Sequence, residues 1–341
     1  MKEFNVLFFT PYYHQNRGNS ATAKRIEYGL KAAGVNVTVF AYEEESITPE
    51  IMRQMKKADL YHILQFARFT KWYEKNDFHL DRPYVITSGG TDINHSLNEN
   101  KEKYMNILNG AKSITVFTDD AKINLLKTLM FHENFVHVIP QTIFFPEHYG
   151  EVTNINFPVG LPKILLPAGL RAVKDVLYAF EPIRKLQKNY PEIVFLILGA
   201  NLDDQVFKQV VKLTNEFDWF HYKSDIDLSL MREVYHWADI VINTSISEGQ
   251  STSLLEAMAE KRPVVARDIP GNSSIINDGY NGLLFEDQKG LYNSLKQLIT
   301  DHDLYERFSL HGYQTIKENH LLKQEIDSYL KIYSNIGVDE K

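Results

Sequence analysis

The chain has no cysteine among its 341 residues, which excludes disulfide bridges and thiolate metal sites. It also has no apolar stretch of membrane-spanning length, and its first residues lack the apolar core of a signal peptide. Basic residues are outnumbered by acidic ones, 37 to 44, and the formal net charge is −7. This balance argues against nucleic acid as the main partner. Together these absences predict a cytoplasmic protein.

Apolar runs typical of buried strands alternate with amphipathic helical stretches along most of the chain. Residues 141–162 interrupt this alternation with three prolines and two glycines. The pattern predicts an α/β fold of two doubly wound, Rossmann-like domains facing a central cleft. We place the N-terminal domain at 1–150 and the C-terminal domain at 151–315. Residues 316–341 are predicted to form a C-terminal helix that packs back toward the N-terminal domain.

Two glutamates eight residues apart, Glu248 and Glu256, flank a predicted helix start that follows a buried strand. A helix start offers unpaired N–H groups and the positive end of its dipole, which suit a phosphate. Carboxylates accept hydrogen bonds from sugar and ribose hydroxyls. We therefore expect this stretch, with Ser251, Thr252 and Ser253, to bind a sugar, a diphosphate and a ribose in a row.

A pair of cations, Arg171 and Lys174, follows Gly169 at the end of the first strand of the second half. Both would project from a strand-to-helix turn, with a helix predicted over Asp175–Lys188. Paired cations at such a turn can neutralise a leaving diphosphate. Further along, Gly271 and Asn272 belong to a predicted tight turn whose N–H and amide groups can bind sugar hydroxyls.

Two loops of the first half carry further candidates. Gly18 and Asn19 follow the first strand and open a helix, a position that can face an anion. Gly90 and Thr91 follow the fourth strand, where glycine allows the backbone to approach a ligand closely. Asp92 comes next and is expected to orient the donor sugar or an acceptor hydroxyl.

These motifs resemble glycosyltransferase family 4. The resemblance rests on the Glu248-x7-Glu256 spacing, the cation pair after a glycine, and Pro270–Asn272 ahead of Asn281–Phe285. Gln250 and Ser251 stand where the family often has Phe and Gly, and Ser274 stands where it often has Glu.

Two narrower patterns, at Gly18–Arg25 and Gly90–Asp92, resemble one branch of that family. The branch contains glycosyltransferase 1 domain-containing protein 1 and the selenosugar synthases.

The resemblance implies a retaining, metal-independent transferase with the GT-B fold and no cofactor besides its nucleotide-diphosphate sugar. By this resemblance Arg171 and Lys174 bind the diphosphate, together with the helix start at Ser251–Ser253. Glu248 contacts the sugar hydroxyls and Glu256 accepts from the ribose. UDP is the expected carrier because it is the commonest in the family. The acceptor is unidentified and is a glycan, a lipid, a protein or a small metabolite.

Other functions remain open at this point. A metal-dependent GT-A transferase would use Asp225–Asp227 as its metal motif, although this tripeptide also fits a helix cap. A sugar-nucleotide epimerase or a non-catalytic sugar-nucleotide-binding subunit would suit the same scaffold. Lys24, Arg25 and Lys31 on the first predicted helix allow weak peripheral contact with a membrane.

Overall fold

The structure is a computed structural model and describes residues 4–129, 131–146 and 155–338. These residues form two compact units. The first contains the described residues up to Thr142 and those from Leu321 onward, and the second is Ile143–His320. The predicted boundary between 150 and 151 lies outside the described residues, as do 147–154 of the predicted connection. The predicted cleft between the domains stays a prediction.

Within the described residues, the first unit is built on a six-stranded parallel sheet in the order β2-β1-β3-β4-β5-β6. Its strands are β1 (Asn5–Thr10), β2 (Asn36–Ala41), β3 (Leu60–Leu64), β4 (Tyr84–Ser88), β5 (Ser113–Val116) and β6 (Val136–Val138). Its helices are α1 (Gly18–Ala32), α2 (Pro49–Lys57), α3 (Phe66–Lys75), α4 (Leu97–Glu99), α5 (Lys101–Gly110), α6 (Asp119–Leu129) and, from the end of the chain, α14 (Leu322–Val338). Strands β3, β4 and β5 are buried throughout, as expected for a parallel sheet covered on both faces.

The second unit repeats this architecture with the order β12-β11-β10-β7-β8-β9. Its strands are β7 (Lys163–Pro167), β8 (Val194–Leu198), β9 (Phe220–Lys223), β10 (Ile240–Asn243), β11 (Val264–Arg267) and β12 (Leu283–Phe285). Its helices are α7 (Phe180–Gln187), α8 (Asp204–Glu216), α9 (Met231–Trp237), α10 (Thr252–Ala259), α11 (Pro270–Ser273), α12 (Gln288–Thr300) and α13 (His302–Asn319). The predicted α/β class with two doubly wound sheets is confirmed.

Each strand order reverses direction at one point, between β1 and β3 in the first sheet and between β7 and β10 in the second. At such a switch point the connections leave the sheet on opposite faces, which opens a crevice at the carboxyl ends of the two strands. Ligands of open α/β sheets bind in that crevice. The two switch points are therefore the places to look for sites.

Three local predictions are wrong. The helix predicted over Asp175–Lys188 begins only at Phe180, because Ala172–Lys174 forms a single 3-10 turn and Asp175 takes a left-handed conformation at φ +44°. Pro270–Asn272 is not a tight turn but belongs to the short helix α11. The expected loop at Gly90–Asp92 is already helical and continues as a π-helix over Asp92–Ser96.

The last helix packs on the first. Arg25 of α1 is 2% exposed and its guanidinium donates to both carboxylate oxygens of Glu325 on α14, at 2.8 and 3.0 Å. Thr22 and Arg25 also donate to Gln141. Arg25 is therefore unavailable for the predicted membrane contact, and Lys31 is paired with Glu27. Among the described residues, no helix is both long and apolar enough to span a membrane.

Candidate active site

The loops after β7 and β10 meet at the switch point of the second sheet. The Thr244 hydroxyl donates to the Lys174 carbonyl at 3.0 Å, and the Ile246 N–H donates to the Val173 carbonyl at 2.9 Å. These bonds fix the backbone on which the two charged side chains stand. The Lys174 ammonium contacts the Glu248 carboxylate, and these side chains are only 18% and 12% exposed. Of the four residues predicted to act on the donor or the acceptor, Arg171, Lys174, Glu248 and Asp92, the structure thus brings Lys174 and Glu248 into contact.

The electrostatics of Glu248 follow from its partners. Burial acts to raise the pKa of this carboxyl, but the Lys174 ammonium and the hydrogen bonds from Lys174, Ser245 and Asn243 outweigh it. The net result is a pKa below the ordinary value. Glu248 is therefore ionised at neutral pH and presents a fixed negative charge beside a fixed positive one.

Asn243, the last residue of β10, was missed by the sequence reasoning. Its amide nitrogen donates to Glu248 at 3.3 Å and to the Ser251 hydroxyl at 3.0 Å. Its amide oxygen accepts from the Ser245 N–H at 2.9 Å and from the Asn272 amide at 3.3 Å. One buried side chain thus connects three predicted site residues. A polar residue closing an apolar strand immediately before the motif is the signal that could have identified it.

Helix α10 begins at the predicted place. Ser251 is its N-cap residue, is 4% exposed, and lies with its hydroxyl 3.0 Å from that of Ser253. Thr252 and Ser253 are half-buried in the first turn. Glu256 faces inward from the same helix and accepts a 2.6 Å hydrogen bond from the buried Tyr235 hydroxyl. Burial, followed by the charge of Glu256, raises the pKa of Tyr235 well above its usual range.

The glycine of α11 lies directly against the Glu248 backbone. A Cβ atom on Gly271 would lie 2.6 Å from the Glu248 carbonyl oxygen and 2.7 Å from its Cβ. Only glycine permits this approach. Asn272 is fully buried and donates to the Arg267 carbonyl at 3.0 Å, whereas its own amide oxygen has no partner among the described residues.

Two of the three departures from the pattern of the resembled family, Gln250 and Ser274, contact each other. The Gln250 amide donates to the Ser274 hydroxyl at 3.2 Å, and that hydroxyl donates to the Gly271 carbonyl at 3.0 Å. The two substitutions therefore form a connected pair that supports the α11 backbone.

The remaining predicted residues of this unit lie at the end of β7. Gly169 is half-buried, and Arg171 is exposed and precedes the 3-10 turn that ends at Lys174. The Arg171 carbonyl accepts from the Lys174 N–H at 2.9 Å, which ties the two cationic residues to one turn.

The five candidates of the first half lie in the other unit. Gly18 is the first residue of α1, and the Asn19 amide donates to Gln65 at 2.8 Å. Gly90 and Thr91 begin the helical segment after β4. Asp92 is 1% exposed at the start of the π-helix.

Asp92 has an unusual environment for a carboxyl group. Burial raises its pKa to about 7, against the opposing effects of the Phe66 and Ala67 N–H groups, the Ser88 hydroxyl and the Arg68 charge. One carboxylate oxygen, Oδ1, has no hydrogen-bond partner among the described residues.

Asp225–Asp227, the metal motif of the alternative GT-A prediction, ends in a residue that caps a helical turn. The Asp227 carboxylate accepts from the Ser229 N–H at 2.9 Å and begins a 3-10 turn over Leu228–Leu230. In the part of the chain that the structure describes, no three His, Cys, Asp or Glu side chains are grouped so as to hold a metal ion.

Comparison with known proteins decides the family. A model of glycosyl transferases group 1 matches residues 162–301, the stretch that contains the Lys174–Glu248 contact. A Xenopus tropicalis protein named glycosyltransferase 1 domain-containing protein 1 is 32% identical, with the match covering 98% of this chain and 99% of that protein. The chain belongs to the glycosyltransferase group 1 family. This membership favours a transferase over the epimerase and the binding subunit.

Two solved structures resemble this glycosyltransferase over nearly its whole length. A glycosyltransferase from Rickettsia africae gives a TM-score of 0.75 at 19% identity, covering 98% of this chain and 99% of that one. Anabaena HepE, crystallised with UDP and glucose, gives a TM-score of 0.73 at 14% identity, covering 98% and 100%. At these identities the likeness shows the fold, and the predicted GT-B class is confirmed.

Proposed function

We propose that this glycosyltransferase moves a sugar from a nucleotide-diphosphate donor, with UDP as the carrier, to an acceptor in the cytoplasm. The transfer retains the anomeric configuration and uses no metal ion. The acceptor is a glycan, a lipid, a protein or a small metabolite. We further propose membership of family 4 and of the branch that includes the selenosugar synthases.

The observation that carries this proposal is the Lys174–Glu248 contact at the switch point of the second sheet. An ammonium group has three N–H donors, so Lys174 can hold Glu248 and a phosphate oxygen together. A phosphate at the start of α10 would meet the helix's unpaired N–H groups. The sugar attached to that phosphate would then lie beside the ionised Glu248, whose oxygens accept from hydroxyls.

The chemistry follows from where charge develops. The bond between the anomeric carbon and the diphosphate oxygen breaks with its electron pair on oxygen, so the leaving group gains negative charge. Arg171, Lys174 and the α10 start stabilise that charge, while Glu248 positions the sugar, which becomes positive. The acceptor oxygen bonds to the same face of the anomeric carbon, and its proton passes to a diphosphate oxygen. This route requires no protein general base.

A donor screen tests the proposal. The full chain is heated with UDP-, GDP-, ADP- and TDP-sugars, and the carrier that binds raises the melting temperature by mass action. We expect a UDP-sugar to give the largest rise. NMR of the product should show the anomeric configuration of the donor, and EDTA should leave the rate unchanged. An inverted product or a rate abolished by EDTA would contradict the mechanism.

A matched pair of variants tests whether Arg171 stabilises the leaving diphosphate. Arg171→Ala should lower kcat/KM by about 10²-fold or more, as measured for other single charge-stabilising groups. Arg184→Ala is the control, because Arg184 lies on the surface of α7 in an ion pair with Glu181. Equal activity of the two variants would remove Arg171 from the mechanism.

A further inference from the structure

The switch point of the first sheet collects polar side chains from four adjacent strands. In the sheet order β2-β1-β3-β4, Tyr42 follows β2, Tyr12 follows β1, Arg68 lies in the first turn of α3 after β3, and Asp92 follows β4. The Arg68 guanidinium donates to the Tyr12 hydroxyl at 3.2 Å. The Asp92 carboxylate accepts hydrogen bonds from the Phe66 and Ala67 N–H groups beside Arg68, and the Tyr42 ring lies 5.6 Å from that of Phe69 on the same helix. The four side chains therefore surround the start of α3 as one cluster.

Two buried polar atoms of this cluster have no hydrogen-bond partner among the described residues. They are Asp92 Oδ1 and the Tyr42 hydroxyl, on side chains that are 1% and 3% exposed. Leaving a buried donor or acceptor unsatisfied costs about 1–3 kcal/mol, and such atoms in native proteins usually mark a functional requirement. A hydroxyl is a suitable partner for either atom, because the Tyr42 hydroxyl donates and the Asp92 oxygen accepts. The π-helix that begins at Asp92 is also of a type frequent at functional sites.

Two arginines lie against the same aromatic ring. The Arg17 guanidinium carbon is 4.0 Å from the centre of the Tyr12 ring, and that of Arg68 is 5.4 Å away. Within the described residues neither arginine forms an ion pair; Arg17 donates to the Gln15 amide and Arg68 to the Tyr12 hydroxyl. Each guanidinium carries five N–H donors in a fork that matches carboxylate or phosphate. Most of these donors are therefore available to an anion.

Two nearby carboxylates, Glu44 and Glu45, are already engaged, while the charge of a third, Glu43, acts on Tyr42. Glu44 accepts from the N–H groups of Tyr13, His14 and Gln15 at 2.7, 2.9 and 3.0 Å. Glu45 lies 2.8 Å from the His14 ring nitrogen. Glu44 is thus held by the backbone of the β1 loop and Glu45 by the His14 ring, and among the described residues neither forms an ion pair with Arg17 or Arg68.

We propose that this cluster binds the acceptor, and that the acceptor is a small hydroxyl compound bearing a phosphate or carboxylate group. Arg17 and Arg68 bind the anionic group, while Asp92 Oδ1 and the Tyr42 hydroxyl hold the hydroxyl that receives the sugar. This inference rests on the proposed transferase function and narrows its acceptor to one chemical class. It gives Asp92 the second of its two predicted roles, orienting the acceptor.

Calorimetry on the full chain tests the site directly. Saturating UDP occupies the donor site, and sn-glycerol 3-phosphate, glycerate and glycerol are then titrated separately. We expect saturable binding of an anionic probe at millimolar concentration and at least tenfold weaker binding of glycerol. The phosphate and carboxylate arms show which anion the site prefers. Equal binding of all three probes would overturn the proposal. So would the absence of anion binding at probe concentrations up to 50-fold above the expected millimolar range.

Three variants locate the binding. Arg68→Gln should weaken the anionic probe at least tenfold, and Arg68→Lys should retain part of the affinity because it keeps the charge. Asp92→Asn should weaken sn-glycerol 3-phosphate more than inorganic phosphate, which has no alcohol hydroxyl. Arg53→Gln, on the surface of α2 in an ion pair with Glu50, is the control. Anion binding that survives Arg68→Gln unchanged would contradict this site.

The two proposals fail in different ways. If UDP does not bind and no UDP-sugar is consumed, the proposed donor chemistry is wrong. If UDP binds and a donor is consumed but the anionic probes do not bind, only the acceptor class is wrong.

Discussion

Asn243 shows how much of the candidate site depends on one uncharged side chain. An amide has two donors and an oxygen with two lone pairs, and Asn243 uses all four positions. Because the groups it contacts belong to the β10 loop, α10 and α11, its orientation fixes Glu248 relative to the helix start. Motif reasoning finds charged residues and passes over such a connector.

Replacing Asn243 by aspartate is the sharpest test of that role. Asn243→Asp keeps the shape but removes two donors and places a second carboxylate against Glu248. The repulsion should raise the pKa of Glu248 and weaken its hold on Lys174. We expect kcat/KM to fall by about 10- to 100-fold, with the acidic limb of its pH profile shifted upward.

The control for this change is Asn189→Asp, an exposed position outside the site. Both variants should show the far-UV circular dichroism of the native chain. A pH profile identical to that of the native enzyme would leave Asn243 with a purely structural role.

Gly271 makes a steric prediction. In Gly271→Ala the new methyl group would lie within 3 Å of three Glu248 atoms, two of them backbone atoms that cannot rotate away. The β10 loop or α11 must therefore shift by several tenths of an ångström. We expect kcat/KM to fall about 10-fold or more, because small misplacements in a site are costly.

Gly290→Ala in α12 is the matched glycine control, since its nearest contact would be a side-chain atom at 3.3 Å. Full activity of Gly271→Ala would mean that the loop tolerates the shift and that Glu248 is not held as tightly as its contacts indicate.

At the scale of elements, helix α14 completes the first unit although it comes last in sequence. The Arg25–Glu325 pair lies at this junction, and both side chains are almost fully buried, at 2% and 0% exposure. The Thr142 hydroxyl also donates to Glu325. One position of the Gly18–Arg25 pattern, Arg25, thus serves helix docking, and another, Thr22, donates to Gln141.

Breaking this pair should unfold the first unit at lower denaturant concentration. Arg25→Ala leaves Glu325 buried without its cation, a loss worth about 3–5 kcal/mol in comparable buried pairs. Lys31→Ala removes an exposed pair on the same helix, where the loss should be below about 1 kcal/mol. Urea unfolding followed by tryptophan fluorescence measures both. Similar midpoints for the two variants would contradict the docking role.

The strands were predictable because their signal is local. A short apolar run such as Leu60–Leu64 or Val264–Arg267 is buried on both faces of a parallel sheet, and its bounds follow from composition alone. Helix α3 was missed because its start has no cap signal: Gln65 takes a left-handed conformation at φ +70° and makes no capping bond. The start of α7 at Phe180 was likewise not predictable from the local sequence. The 3-10 turn that precedes it, Ala172–Lys174, is held by a contact with the β10 loop, 70 residues away.

The same limit applies to the candidate site. Glu248, Lys174 and the α10 start were predictable because helix starts and paired charges are sequence signals. The partners of these groups were not, since Asn243, Tyr235 and Gly271 act through contacts that exist only after the strands are ordered in the sheet. The order of strands, rather than the strands themselves, is what the sequence leaves undetermined.

At the scale of the whole molecule, each unit has a switch point where polar residues lie together. The first unit also buries two titratable side chains, His62 and Asp92, whose contributions to stability change in opposite directions with pH. His62 is fully buried between Tyr333 and Thr87, and burial lowers its pKa to about 3. Asp92 is buried with its pKa raised to about 7.

The direction in which each group changes the stability with pH follows from whether the folded or the unfolded chain binds its proton more tightly. Unfolded His62 takes up a proton near pH 6.5 while the folded side chain remains neutral, so its contribution to stability is lost as the pH falls from 6.5 toward 3. Unfolded Asp92 stays ionised down to pH 3.8 while the folded carboxyl is already protonated below about 7. Its contribution therefore favours the folded state increasingly as the pH falls through that interval. The two slopes largely cancel between pH 4 and 6.5.

Removing one group at a time should expose the other. Asp92→Asn should lose about 4 kcal/mol more stability than the native chain between pH 7 and 4, since each pKa unit corresponds to about 1.4 kcal/mol. His62→Gln should lose less than the native chain, or gain, over the same interval. Urea unfolding of the full chain at several pH values measures these slopes. Trp72 fluorescence reports the first unit when Trp219 and Trp237 are replaced by Phe in all three proteins. Parallel slopes for the three proteins would show that neither group is held in its unusual ionisation state by the fold. In that case Asp92 would not be a buried carboxyl group whose Oδ1 lacks a hydrogen-bond partner among the described residues of the folded chain.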